Sequence, residues 1–154
     1  MNYILSLIDM QDAFLEIYEE NVRNNIVSSC VSLIQEAIYH NNEIIIVEFD
    51  GCGHTNERIL SELSDYDNVF FLKKTTTDGS NEILDLLNKR NLFKPIRIGG
   101  LYTDRCIKDT VAGLTQLFNE EIQIVICATL PFYKNWAFNY FEYLNASGVK
   151  VKLI

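Results

Sequence analysis

Six short apolar runs alternate with helical patterns from one end of the chain to the other, and this alternation constrains the fold most. The runs cover residues 3–8, 43–47, 69–72, 96–99, 122–127 and 149–153. Most are rich in Ile, Val, Leu or Phe, the pattern of strands buried on both faces. The last alternates with Lys150 and Lys152, as an edge strand would. Between them lie amphipathic stretches. Ile26, Val31, Leu33, Ile34 and Ala37 form one stripe, which ends near His40. Ile59, Leu60 and Leu63 mark a second helix, and Ile83, Leu84, Leu86 and Leu87 a third. Ile107, Val111, Leu114 and Leu117 mark a fourth after a Thr103-Asp104 start signal, and residues 136–144 a fifth. Strand and helix in strict alternation imply a parallel sheet with helices on both faces. No repeat or linker divides residues 1–154, so a single α/β domain is expected.

Composition narrows the function. The chain carries 21 acidic against 13 basic residues, a formal charge of −8. A protein that tracks phosphates needs the opposite sign, so no nucleic-acid partner is expected. No apolar run approaches the roughly 18 residues that span a bilayer. The run at 3–8 lacks the basic flank of a signal peptide. Cys30, Cys52, Cys106 and Cys127 have no paired spacing, which points to reduced thiols and a cytoplasmic protein.

In open parallel sheets, ligands bind beyond the carboxyl ends of the strands, where the strand order reverses. Three reactive groups fall just after strands: Asp9, the pair Lys73-Lys74, and Cys106. A carboxylate, an ammonium and a thiol on one rim suffice for nucleophilic catalysis. Cys106 opens a helix, whose free N–H groups and dipole favour a thiolate and its low pKa. The plain alternative is a small core-filling cysteine. Asp9 could instead cap a short helix over residues 11–18. Lys73 and Lys74 point in opposite directions along a strand, so at most one faces the site.

Ile8-Asp9-Met10-Gln11, together with Gly99-Gly100-Leu101-Tyr102-Thr103-Asp104-Arg105-Cys106-Ile107 and Thr110-Val111-Ala112, resembles the isochorismatase-like cysteine hydrolases. That family includes nicotinamidases, N-carbamoyl amide hydrolases and isochorismatases. The resemblance implies a three-layer Rossmann-like fold with six parallel strands in the order 3-2-1-4-5-6. It implies Asp9 as general base and Cys106 as nucleophile. It also implies a cis peptide between Leu101 and Tyr102, with Tyr102 and Cys106 offering N–H groups to an oxyanion. Leu101, Tyr102 and Gln11 fall among the oxyanion-hole and substrate-binding positions. Counting back from the segment that follows the family's lysine selects Lys74 as the third member, with Lys73 in reserve.

The chain departs from the family in three places. Thr75-Thr76-Thr77-Asp78-Gly79-Ser80 stands where the family has a Ser-Ala-Phe-like segment. The nicotinamidase branch holds a metal with Asp-x-His and a later His, whereas here the loop reads Asp50-Gly51-Cys52-Gly53-His54. Asp50, Cys52 and His54 could gather a soft divalent ion, but a polar pocket loop without metal or other cofactor is expected. Finally, 154 residues is short for the family. That shortness and the aromatic stretch 132–143 suggest a homo-oligomer, unless those rings all enter the core.

The expected function is hydrolysis of a C–N bond in a small amide or ureido compound through a Cys106 thioester. Hydrolysis of another small substrate in the manner of isochorismatase, or a silent assembly protein, are the alternatives. A nucleotide-binding module is disfavoured because the first strand leads to Asp-Met-Gln-Asp rather than a glycine-rich loop.

Overall fold

Each apolar run becomes a strand in the computed structural model, which describes residues 2–136 and 138–154. The strands are β1 Ile4–Ile8, β2 Glu43–Phe49, β3 Val69–Lys74, β4 Ile96–Leu101, β5 Ile122–Leu130 and β6 Val151–Leu153. They form one parallel sheet in the order β3-β2-β1-β4-β5-β6, as the resemblance implies. Every residue of β1 and β4 is buried, which is why these runs read as continuous rather than alternating.

Alternation along β1 divides the core. Leu5 and Leu7 pack with α2 (Glu20–Tyr39) and α3 (Glu57–Leu63) on one face. Ile4 and Ile8 pack with α4 (Ser80–Arg90), α5 (Lys108–Leu117) and α6 (Asn139–Ala146) on the other. A four-residue helix, α1 (Asp12–Leu15), follows β1 directly. Strand order reverses between β1 and β4, so the crevice beyond their carboxyl ends is the expected ligand site.

Two elements differ from expectation. β5 runs past Cys127 to Leu130 because its register against β4 shifts: Ile98 pairs with Ile124, but Gly100 pairs with Thr129. The extra residues leave Ile126 and Cys127 exposed despite their apolar character. The helix expected over 136–144 begins only at Asn139, and Ala137 lies outside the described residues. Phe141 is fully buried, with Trp136, Phe138 and Tyr140 packed against it, whereas Phe132, Tyr133 and Tyr143 are exposed. The aromatic stretch therefore divides between core and surface. Among the described residues, no helix is long and apolar enough to cross a membrane.

Candidate active site

Strand parity decides which lysine reaches the crevice. Leu72 and Lys74 share one face of β3, the face toward α4 and α5, while Lys73 takes the other. Lys74 is fully buried, and its Nζ lies 2.8 Å from Asp9 Oδ2. It also donates to Thr76 O at 3.1 Å and sits 4.4 Å from the centre of the Phe49 ring. The segment that departs from the family pattern thus supplies a carbonyl that holds the ammonium. Lys73 faces solvent and pairs loosely with Asp50 at 3.5 Å.

Asp9 leaves β1 in the left-handed region, φ 54°, which ends strand pairing and swings the carboxylate into the crevice. It does not cap α1, whose N-cap is Gln11. The carboxylate is 1% exposed. Burial raises its pKa, and the Lys74 ammonium opposes the rise only in part.

Cys106 arrives from β4. Gly99 and Gly100 let that strand approach β1 closely: a Cβ on Gly100 would stand 2.1 Å from Ile8 O. The peptide between Leu101 and Tyr102 is cis. The chain then makes a π-helical turn, Thr103–Ile107, with Ile107 N donating to Tyr102 O at 3.1 Å. Cys106 sits inside that turn, immediately before α5, and is 6% exposed. Asp104 is not a helix start signal. Its buried carboxylate accepts from Phe132 N at 2.7 Å and Tyr133 N at 3.0 Å, which ties the turn to the loop after β5.

The low thiol pKa expected from the helix start and a nearby ammonium meets opposing forces in the folded site. Burial and the neighbouring Asp9 carboxylate push Cys106 up to about 12, and Lys74 offsets this only partly. Both acids of the pair are therefore raised, each chiefly by its own burial. At rest the thiol keeps its own proton.

A pocket of about 180 Å³ opens onto Asp9 and Cys106. Phe14, Phe49 and Tyr102 give it an aromatic wall in which neighbouring rings meet edge to face. The Tyr102 hydroxyl donates to Phe14 O at 2.9 Å, which holds α1 against the site. Burial and nearby negative groups raise its pKa to about 12, so it stays a neutral donor. Thr77, Cys52 and Arg105 complete the lining. Leu101 is fully buried behind the pocket and does not line it.

Gln11 has a different task from the substrate contact expected of it. Its side chain accepts from Phe49 N at 2.7 Å and donates to Phe49 O at 3.0 Å and Gly53 O at 2.8 Å. With both ends of the amide spent on backbone, it latches the loop after β2 rather than facing the pocket. The alternative metal site fares no better. Asp50 pairs with Lys73, Cys52 lines the pocket, and exposed His54 stands 4.0 Å from Glu48. Among the described residues, no three His, Cys, Asp or Glu side chains gather in a way that could hold a metal ion. The residues present therefore do not fit the metal centre of the nicotinamidase branch.

The isochorismatase domain matches residues 3–129, most of the chain and all of the strands that carry these groups. The chain belongs to the isochorismatase family. As a member it is a hydrolase. Comparison with curated proteins returns no match. Among solved structures, this isochorismatase-family chain is similar to a nicotinamidase of Staphylococcus aureus at 22% identity and a TM-score of 0.78, covering 98% of this chain and 99% of that one. It is also similar to a ribonuclease of Caenorhabditis elegans at 19% identity and a TM-score of 0.80, over 99% and 77%. An N-carbamoylsarcosine amidase of Thermoplasma acidophilum matches at 16% identity and a TM-score of 0.76, over 99% and 96%. At these identities the likeness is one of fold.

Sequence reasoning passed over Phe14, Phe49, Thr77 and Arg105 as pocket residues. Phe14 lies in α1, Phe49 at the end of β2 and Thr77 in the loop after β3, positions that carry no motif pointing to a pocket. Arg105 does lie in the motif, beside Cys106, but the direction of its side chain cannot be read from sequence.

Proposed function

We propose that the chain hydrolyses a C–N bond in a small amide or ureido compound through a covalent thioester on Cys106. Asp9 and Cys106 on a common pocket, with buried Lys74 in contact with Asp9 behind them, carry this reading. A carboxylate whose pKa is raised is a better base, and a thiol that ionises only on attack needs one. The nicotinamidase and N-carbamoylsarcosine amidase folds that the chain resembles act on such bonds by name.

The proton goes from the Cys106 thiol to Asp9 as sulfur forms a bond to the carbonyl carbon. The backbone N–H groups of Tyr102 and Cys106 receive the developing oxyanion. As the C–N bond breaks, Asp9 returns the proton to nitrogen, and ammonia or an amine leaves. Water then attacks the thioester, gives a proton to Asp9, and sulfur departs and recovers that proton. Lys74 takes no part in the proton transfers. Its charge holds Asp9 in position and limits the cost of a carboxylate at this depth.

The test is ammonia release from a panel of small amides and ureido compounds. Turnover should fall at least ~10³-fold in Cys106→Ala. Intact mass should reveal an acyl adduct on the wild-type chain that maps to Cys106. Full activity in Cys106→Ala would overturn the proposal.

A further inference from the structure

Among the described residues, Arg105 is the one cation that lines the pocket. Lys74 is held by Asp9, and the neighbouring Asp104 is turned away onto backbone N–H groups. No acidic side chain pairs with Arg105 among the described residues, although the chain carries 21 acidic side chains. Its guanidinium lies 3.8 Å from the centre of the Phe132 ring and donates to Tyr133 Oη at 3.1 Å. Both aromatic residues are fixed in turn by Asp104. The group is thus oriented by stacking, and one hydroxyl contact uses only part of a five-donor fork. Phe14, Phe49 and Tyr102 make the aromatic part of the wall, and Asp9 and Cys106 lie with them.

We propose that Arg105 selects, for the hydrolysis proposed above, a substrate that bears a carboxylate. The carboxylate would sit at the pocket mouth on the guanidinium, with the scissile carbonyl inward at Cys106. The pocket volume corresponds to about six water molecules at ~30 Å³ each, which limits the substrate to a compact acid. Because the net charge of −8 repels anions over the whole surface, a local cation at the mouth is what would admit one. Arg105 contacts substrate without taking part in proton transfer, so it determines specificity.

The experiment compares iodoacetate with iodoacetamide, an anionic and a neutral reagent of similar size, mapping labelled cysteines by peptide mass. Exposed Cys127 serves as the reference within the same chain. The rate ratio of iodoacetate to iodoacetamide should be about tenfold higher at Cys106 than at Cys127. Arg105→Gln should remove that difference, and Arg105→Lys should retain part of it. Labelling of Cys106 without charge preference, or an unchanged ratio in Arg105→Gln, overturns the role of Arg105 alone. No labelling of Cys106 by either reagent, together with unchanged ammonia release in Cys106→Ala, overturns the nucleophile and this inference with it.

Discussion

Two adjacent lysines with opposite fates show how much depends on one step along a strand. Lys74 is 0% exposed and Lys73 is 61% exposed in its side chain, although the two are chemically identical and covalently joined. Removing the Lys74 charge leaves Asp9 buried without a counter-ion, a loss that costs about 3–5 kcal/mol for a buried pair. Lys74→Met should therefore lower stability by roughly that amount in urea unfolding and cut turnover by orders of magnitude. Lys73→Met should shift stability by no more than ~1 kcal/mol, because its partner Asp50 is also half exposed. Ammonia release and unfolding midpoints check both variants. The reverse pattern would transfer the role to Lys73.

At the scale of elements, the site depends on β1 and β4 approaching closely where strand order reverses. Gly100 has φ 113°, and its missing Cβ leaves room for the Ile8 backbone. Gly100→Ala should combine backbone strain with a clash against main chain that cannot rotate away. A loss of about 3 kcal/mol or more is expected, with Asp9 and Cys106 displaced together. Calorimetry would check this; a variant with wild-type stability would show that the two strands can part at no cost. These same strands were the most legible part of the chain. Their runs are buried end to end, and their reactive residues follow at once. β5 was read short because its register shift is a response to β4 and leaves no local pattern. The fate of Lys74 was legible only as parity, since a strand-end lysine ordinarily lies in water. The raised pKa of Cys106 was misjudged because the helix start is local, whereas the burial and the Asp9 charge come from distant segments. Gln11 stood in a motif position, yet its latch to Phe49 and Gly53 becomes visible only when β2 is in place.

Across the whole molecule, the buried thiols tie stability to pH. Cys106 is raised from an ordinary 9.0 to about 12, and so is fully buried Cys30 on the opposite face. In each case the folded state holds its proton more tightly than the unfolded chain. The stability this contributes is fully present below pH 9 and is lost as pH rises toward 12. Asp9 has the same sign at the acid end. Its raised pKa makes stability fall as pH climbs from 3.8 to the folded value, opposite to an ordinary paired carboxylate. The alkaline window is the cleaner one to measure. Between pH 9 and 10, before most tyrosines ionise, each raised thiol contributes a slope approaching ~1.4 kcal/mol per pH unit. Urea unfolding across that interval should give a shallower slope in Cys106→Ser than in the wild type, because the proton retained by that thiol is gone. The remaining slope belongs to Cys30 and to the buried tyrosines whose pKa is also raised, Tyr102 among them. An unchanged slope in Cys106→Ser would mean that the folded site releases the thiol proton as easily as the open chain does. Asp9 would then have no proton to take when sulfur attacks, and the proposed mechanism would have to begin from a preformed thiolate.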